Sequence, residues 1–236
     1  MAISEPRIAA CSVPKPEDTD EDNEDQIAHA GDRVALSDGA SRSARPEVWA
    51  ELLVTAFVYD GLDPLDPMHL AVLRDKWMAQ VSEPELPWYA TAKLAEGGAA
   101  TFLGLRLPDA DGQYWANGVG DTCLLHIRDG DVLSAGPLQR AQDFSSRPSL
   151  VSTRPGENGF LDHVWHHEAI ARPGDALILA TDAAAAYLLG GPSELYQELV
   201  STDVMVRHDE FEAWVDFARA ERGMAPDDTT ICVVWL

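Results

Sequence analysis

The chain has 236 residues, of which 46% are hydrophobic and seven are tryptophan, so it holds enough apolar side chains for a buried core and is not disordered as a whole. It carries 17 Lys and Arg against 40 Asp and Glu, a formal net charge of −23. This balance argues against non-specific binding to nucleic acid or to an anionic membrane surface, since both need a positive patch. A net negative charge of this size favours the binding of metal cations instead.

The three cysteines, Cys11, Cys123 and Cys232, form no CxxC pair, so the sequence indicates neither a disulfide framework nor a thiolate zinc site. The N-terminus lacks a basic start followed by an apolar segment, and no apolar run approaches the ~20 residues of a membrane helix. We therefore expect a cytoplasmic protein that does not enter a membrane.

Residues 17–25 carry seven carboxylates among nine positions, a run that usually marks a solvated tail. Here it leads into two alternating segments around Gly31 and Asp32, a dipeptide typical of a type II′ hairpin turn. The register of such a hairpin places Asp25 directly opposite Asp38. Like charges in that position, roughly 5 Å apart, destabilise a hairpin, and a divalent cation between them would remove the conflict.

Helical spacing of apolar residues follows the hairpin. The segment from Pro46 to Tyr59 predicts an amphipathic helix, and Leu70, Leu73 and Trp77 predict a second one. The aromatic side chains of both helices are interpreted as core.

From Ala99 the pattern becomes strand-like and predicts a meander of antiparallel strands through VLSAG, followed by a loop or flap over residues 140–160. DALILATD predicts a buried strand ending at Asp182, with helices after it. The last of these helices is predicted to end at a cap at Gly223, and TTICVVWL closes the chain as a strand.

This order of elements predicts an α+β fold rather than alternating βαβ units. The expected architecture is a four-layer αββα sandwich, in which two antiparallel sheets lie face to face and are flanked by helices. We expect a single domain over residues 1–236, with an acidic and partly flexible N-terminal segment at residues 1–22.

Four aspartates lie at the ends of predicted strands: Asp25, Asp38, Asp182 and Asp227. One such residue is usually a cap or a turn residue, but four together are less easily explained that way. Carboxylates without histidine or cysteine are the ligands that Mg²⁺ and Mn²⁺ prefer, and two such ions can activate water for attack at phosphorus.

Several motifs resemble those of the metal-dependent protein phosphatases of the PPM (type 2C) family. In order along the chain these are NEDQIA, ALSDGAS, NGVGDTCLLHIRDG, LILATD and PDDTTICVV, and GGAATFLGLRL is similar to the strand before the family's GDS segment. Each motif alone is weak, but their shared order over nearly the whole chain makes the resemblance strong. The chain resembles a divergent, bacterial-type catalytic domain of this family.

The resemblance implies a binuclear Mn²⁺ or Mg²⁺ centre that hydrolyses phosphoserine and phosphothreonine in proteins. In this centre Asp38 bridges two ions and the carbonyl group of Gly39 is a further ligand. The remaining implied positions are Asp25, Asp182 and Asp227 as direct ligands, Glu24 holding metal-bound water, and Asp121 with Asp182 holding a third, weaker ion.

The sequence departs from the family pattern at the phosphate-binding position. The family usually has an arginine five residues before the aspartate that matches Asp25, and this chain has Asp20 there. Lys15, Arg42 and Arg45 are candidate replacements, with Lys15 and Arg42 ranked first because they flank the two metal-bearing strand ends. The metal carboxylates are all retained, which favours a competent but divergent phosphatase.

Three alternatives stand beside this interpretation. A pseudophosphatase would keep the fold and the metal site and act as a binding module for a phosphoprotein or signalling partner. An EF-hand at Asp18, Asp20 and Asp22 fails on the spacing of its later ligands. A zinc site at His163, His166 and His167 is disfavoured because adjacent side chains on a strand point in different directions.

The expected partners are phosphorylated protein substrates and, by resemblance alone, a cognate Ser/Thr kinase. We expect a monomer with no nucleic-acid or membrane partner.

Overall fold

The structure, a computed structural model, describes residues 6–82, 88–145, 147–201 and 203–236. The strands in these ranges are β1 (Arg7–Val13), β2 (Asp25–Ala30), β3 (Arg33–Asp38), β4 (Ala99–Ala100), β5 (Phe102–Arg106), β6 (Gln113–Val119), β7 (Cys123–Arg128), β8 (Asp131–Gly136), β9 (Val151–Ser152), β10 (Trp165–Ile170), β11 (Ala176–Ala180) and β12 (Thr229–Trp235). The helices are α1 (Pro46–Val58), α2 (Pro67–Val81), α3 (Trp88–Glu96), α4 (Asp182–Gly190), α5 (Glu194–Ser201) and α6 (His208–Glu221).

Ten of these strands form two five-stranded antiparallel sheets. Sheet 1 has the order β1-β12-β11-β7-β8, and sheet 2 has the order β10-β6-β5-β3-β2. The two-residue strands β4 and β9 pair separately. Each sheet therefore combines strands from distant parts of the chain.

Three apolar clusters show how the layers stack. One lies between α1, α2 and sheet 2 and includes Trp49 and Trp77; another lies between α4, α5, α6 and sheet 1 and includes Phe211. The third lies between the two sheets and includes Leu36 and Leu179. Burial on both faces of each sheet gives four layers, so the predicted α+β αββα sandwich is confirmed.

The first hairpin has the predicted register. The backbone of β2 pairs with β3 so that Ile27 lies opposite Leu36 and Asp25 lies opposite Asp38. Gly31 in the turn has a φ of 56°, in the left-handed region that glycine adopts readily. The turn chemistry thus places two carboxylates face to face at the open end of the hairpin.

Helix α6 ends as its sequence predicts. Gly223 follows the helix with a φ of 78°, and the amide of Met224 donates to the carbonyl of Ala218 over 3.1 Å. The bond closes around the left-handed glycine and satisfies a carbonyl group in the last turn of the helix.

The meander predicted from Ala99 is wrong in one respect. Strands β5 and β6 lie in sheet 2, whereas β7 and β8 lie in sheet 1. Residues 120–122 carry the chain from one sheet to the other, because each sheet must bury one face against the other. The chain therefore forms two hairpins in different layers.

Two edge strands and one short strand were not predicted. Strand β1 lies at the edge of sheet 1 within residues 1–22, the segment expected to be acidic and partly flexible, and β10 lies at the edge of sheet 2. The segment 140–160 is also more than a loop, because Val151 in β9 pairs with Ala100 in β4. Its movement as a flap stays a prediction.

None of the helices in the described ranges is long and apolar enough to span a membrane.

Candidate metal centre

Five aspartates meet at one end of the sandwich. Asp25 begins β2, Asp38 ends β3, Asp121 follows β6, Asp182 follows β11 and Asp227 precedes β12. The pKa of Asp38 is raised well above its usual range, first by burial and then by the other four carboxylates. The two stacked sheets thus bring together side chains that are up to about 200 positions apart in the sequence.

Asp25 is the more buried of the two carboxylates at the open end of the hairpin, with 6% of its surface exposed. Its Oδ2 atom accepts a hydrogen bond from Thr181 Oγ1 over 3.0 Å, but its Oδ1 atom is buried and has no hydrogen-bond partner among the described residues. Burial raises the pKa of Asp25, and the negative charges of Asp228 and Asp182 raise it further. An unsatisfied buried acceptor of this kind needs a hydrogen-bond donor or a cation as its partner.

The negative charges of Asp121 and Asp182 both act on Asp38. Burial, with a further contribution from the charge of Asp182, raises the pKa of Asp121 to about 7. Burial and the charge of Asp227 raise the pKa of Asp182 to about 6. The Oδ1 atom of Asp182 also accepts from the amide of Ala183 in the first turn of α4, over 2.5 Å, which fixes its side chain.

Asp227 and Asp228 differ sharply in burial. Asp227 is exposed, and its Oδ1 atom accepts from the amide of Asp228 over 2.9 Å. Asp228 is buried, and its two carboxylate oxygens accept from the amides of Lys15, over 2.8 Å, and of Glu24, over 2.9 Å. Asp228 therefore ties the segment before β2 to the start of β12, a role that the sequence pattern did not predict.

Glu24 lies between Lys15 and Ser41. Its Oε2 atom is 3.5 Å from Lys15 Nζ and accepts a short hydrogen bond from Ser41 Oγ. Burial raises the pKa of Glu24. Its backbone carbonyl accepts from the amide of Gly39 over 3.2 Å, which joins the ends of β2 and β3.

Gly39 occupies a position with no room for a side chain. A Cβ atom there would lie 2.9 Å from the carbonyl oxygen of Glu24 and 2.9 Å from both the carbonyl carbon and Cβ of Pro46. The backbone beyond Asp38 can therefore turn toward α1 only with glycine at this position.

The three candidate phosphate-binding side chains differ in how many carboxylate partners they have. Lys15 Nζ lies 3.2 Å from Asp18 and 3.8 Å from Asp228, in addition to Glu24, and these carboxylates raise its pKa although partial burial opposes the shift. The Nε atom of Arg45 is bound to Glu47 over 2.6 Å. Arg42 is exposed and makes no ion pair with any residue that the structure describes.

Hydroxyl groups line the base of the centre, and the sequence pattern did not single them out. Thr101 Oγ1 accepts from the amide of Asp38 over 2.9 Å and lies 2.6 Å from Thr122 Oγ1. Thr181 supports Asp25 through its hydroxyl, and its Oγ1 also accepts from the amide of Thr230 over 3.0 Å. The available signal was a threonine next to an aspartate at a strand end, in Asp121-Thr122 and Thr181-Asp182, because threonine there can bond both backbone and side chain.

The five aspartates lie near one another, but their carboxylate oxygens do not point toward a single shared position. Within the described ranges, no three His, Cys, Asp or Glu side chains form a group that could already hold a metal ion. The donor set nevertheless fits a hard divalent cation, because it consists of carboxylates and because Asp25 Oδ1 lacks a partner among those residues.

The three histidines of the zinc alternative do not come together. His163 ends a short 3₁₀ helix, Gly159–His163, whereas His166 and His167 are successive residues of β10. His167 Nε2 lies 3.3 Å from Tyr114 Oη between the sheets, and His166 is exposed on the outer face. The described structure thus contains no zinc site at these residues.

Comparison with family models found no match, and comparison with curated protein sequences found none. Solved structures do resemble the chain. The catalytic domain of the serine/threonine phosphatase PstP, in complex with two manganese ions, is 20% identical over 97% of each chain with a TM-score of 0.63. PppA, a regulatory component of the type VI secretion system in Pseudomonas aeruginosa, is 19% identical over 100% of this chain and 99% of its own, with a TM-score of 0.61.

The photosystem II phosphatase PBCP is 18% identical over 98% of this chain and 99% of its own, with a TM-score of 0.60. The PPM Ser/Thr phosphatase MsPP from Mycobacterium smegmatis is similar as well, with 17% identity and a TM-score of 0.55. At these identities the likeness concerns the fold and extends over nearly the whole length of each chain. The chain has the fold of the PPM-type serine/threonine phosphatases.

Proposed function

We propose that the protein is a metal-dependent phosphatase that hydrolyses phosphoserine and phosphothreonine in proteins. The observation that carries the proposal is the cluster of five aspartates around Asp38, in which Asp25 Oδ1 is buried without a hydrogen-bond partner among the described residues. A fold maintains such repulsion when a cation compensates it. The phosphatase fold of the chain agrees with this proposal.

The proposed ions are two Mn²⁺ or Mg²⁺, with a third and weaker one. Asp38 would bridge the two ions, and the carbonyl of Gly39 would bind one of them. The other assigned positions are Asp25, Asp182 and Asp227 as ligands, Glu24 as a holder of metal-bound water, and Asp121 with Asp182 for the third ion. When bound, the ions would supply charge neutralisation at phosphorus and an acidified water as nucleophile.

The residues of the chain then have separate tasks. Thr181 orients the carboxylate of Asp25 through its hydroxyl group, and the hydroxyl group of Thr101 holds the backbone amide of Asp38. Asp228 holds the backbone at Lys15 and Glu24, so the segment before β2 stays in place. These contacts would fix the ligands before an ion binds, which lowers the entropy cost of binding.

Arg42 is the proposed phosphate-binding residue. It follows Asp38 by four positions and has no carboxylate partner among the described residues, so its guanidinium is available for bidentate contact with a phosphate. Lys15 is the second candidate, but its ammonium is already held by Asp18, Glu24 and Asp228. Lys15 would therefore act chiefly by neutralising these acids.

The proposed partners are phosphorylated proteins, and a Ser/Thr kinase that acts on the same substrates follows from that reaction. A cytoplasmic, monomeric protein without nucleic-acid or membrane partners completes the proposal.

A pseudophosphatase is the second candidate. The observation in its favour is that Asp20, an exposed acid in the 3₁₀ helix Asp20–Asp22, stands where the related enzymes usually have the phosphate-binding arginine. In that case the chain would bind metal and a phosphoprotein or signalling partner without hydrolysing it.

The test is hydrolysis of a phosphothreonine peptide and of p-nitrophenyl phosphate with Mn²⁺ or Mg²⁺, and with EDTA as the control. We expect turnover that requires metal and that falls by more than ~100-fold in Asp38→Ala and Asp227→Ala. Metal binding is measured in parallel by calorimetry. Metal binding without turnover would support the pseudophosphatase, and absence of both would overturn the proposal.

A further inference from the structure

A cavity lies on the outer face of sheet 2, at the end of the sheet remote from the aspartates. Its volume is ≈ 380 Å³, within the range of sites for small ligands. It is bounded by the end of α1 at Phe57, by the loop at Asp63 and by the exposed faces of β6 and β10. Helices α1 and α2 leave this corner of the sheet uncovered.

One row of directly paired residues crosses the sheet along this cavity. Arg33 in β3 lies opposite Arg106 in β5, Arg106 lies opposite Trp115 in β6, and Trp115 lies opposite Glu168 in β10. All four residues line the cavity. The row therefore places two guanidinium groups and one indole ring beside one another.

Two arginines in directly opposed positions repel one another unless an anion lies between them. Arg33 is held by neutral groups: its Nη1 donates to the carbonyl of Phe57 over 2.9 Å, and its guanidinium carbon lies 5.1 Å from the centre of the Phe57 ring. Its nearest carboxylate, the largely exposed Asp32, is 3.9 Å away. Arg106 has no hydrogen bond or ion pair from its side chain to any residue in the described ranges.

The carboxylates at the rim of the cavity have other partners. Asp63 accepts from Asn117 Nδ2 at 3.3 and 3.4 Å and from the amide of Leu65 over 3.0 Å. Glu168 accepts a short hydrogen bond from Gln113. Neither Asp63 nor Glu168 lies within ion-pair distance of Arg33 or Arg106, so both guanidinium groups line the cavity without a direct carboxylate partner at its rim.

We propose that this cavity binds a small ligand with a phosphate or carboxylate group next to a flat ring, as in a mononucleotide. Arg33 and Arg106 would hold the anionic group, since paired guanidinium groups match planar or tetrahedral oxyanions. Trp115, with 38% of its surface exposed, would stack on the ring. Because Asp63 and Glu168 also line the cavity, the anion would be held by direct contact with the two guanidinium groups and not by a net positive charge.

The cavity is separate from the metal centre. Strand β3 carries Arg33 at one end and Asp38 at the other, and five residues of extended chain span about 17 Å. Binding at the cavity therefore requires neither metal nor the aspartate cluster.

The test is isothermal titration calorimetry of the full chain in EDTA, with adenosine monophosphate, inorganic phosphate and uncharged adenosine as probes. We expect the monophosphate to bind most tightly and adenosine most weakly. Arg106→Ala should weaken both anionic probes by about 10-fold or more, because it removes a charge-assisted hydrogen bond. Trp115→Ala should weaken the monophosphate more than inorganic phosphate.

Two variants serve as controls. Arg207→Ala removes the same charge from an exposed position in a different part of the fold, and Asp38→Asn alters the metal centre; both should bind like the wild type. Absence of binding at millimolar probe would overturn the proposal. So would affinity unchanged by Arg106→Ala, or binding that is lost in Asp38→Asn.

Discussion

At the scale of single residues, the aspartate cluster stores electrostatic repulsion. Burial and mutual repulsion raise the pKa values of Asp25, Asp38, Asp121 and Asp182. A carboxyl group whose pKa is raised by folding stabilises the fold fully below its unfolded pKa, and this contribution is lost as the pH rises through the folded value. The metal-free protein therefore becomes less stable toward unfolding as the pH rises from mildly acidic to mildly basic.

The substitution Asp38→Asn tests this reasoning. In EDTA we expect the variant to be more stable than the wild type, by a margin that grows from pH 5 to pH 8, because only the wild type must ionise Asp38 against its neighbours. Chemical denaturation at several pH values measures the margin. With Mn²⁺ the order should reverse, since the variant lacks a proposed ligand. A margin that does not change with pH would contradict the role of Asp38 in the cluster.

Arg42 allows a second test at this scale. We expect Arg42→Ala to lower kcat/KM for a phosphothreonine peptide by roughly 10- to 100-fold, the loss of one charge-assisted contact to phosphate. Arg45→Ala is the matched control, because Arg45 is exposed nearby but bound to Glu47. Steady-state kinetics with both variants gives the comparison. If the two substitutions lowered kcat/KM equally, Arg42 would contribute only its positive charge near the site and not a direct contact with phosphate.

At the scale of elements, the glycine that ends α6 allows the effect of a single left-handed residue on stability to be measured. Gly223 has a φ of 78° and open space where a Cβ atom would lie, so Gly223→Ala introduces strain without a clash. We expect a loss of about 1 kcal/mol, or ~2–4 °C in Tm for a chain of this size. Gly159→Ala, also in open space but without a left-handed φ, should change Tm much less.

The elements that could be predicted are those whose signal is local. The register of β2 and β3 follows from one turn dipeptide, and α1 and α6 follow from apolar spacing within about four helical turns. The same turn dipeptide, by setting the hairpin register, is enough to predict that Asp25 and Asp38 are neighbours. Local pattern is sufficient here because the signal for each element lies within its own residues.

The elements that were missed depend on distant contacts. Strand β1 gains its hydrogen bonds from β12, more than 200 positions later, and its sequence alone shows no strong alternation. The assignment of β7 to sheet 1 depends on pairing with β11. Asp228 accepts hydrogen bonds from the amides of Lys15 and Glu24, which also lie more than 200 positions away in the sequence. Such contacts follow from sheet order, which no single segment encodes.

At the scale of the whole molecule, a buried polar network joins the two sheets at the end remote from the aspartate cluster. His126 Nε2 donates to Asp175 Oδ2 over 2.8 Å, and Arg128 grips the same carboxylate at 2.7 and 2.9 Å. Burial lowers the pKa of His126, so its ring is neutral near pH 7 and Nδ1 is an acceptor. Tyr114, in sheet 2, supplies the hydroxyl 3.0 Å from Nδ1.

Replacing Tyr114 by phenylalanine would remove the donor and leave His126 Nδ1 buried without a partner. We expect Tyr114→Phe to lower the free energy of unfolding by about 1–3 kcal/mol, the cost of one unsatisfied buried acceptor. Tyr59→Phe, at a side chain that is 63% exposed, is the matched control and should have little effect. Urea denaturation gives the stabilities. Metal-dependent activity should persist in Tyr114→Phe, because the network and the aspartates lie at opposite ends of the sheets; loss of activity in folded protein would show that the two ends are coupled.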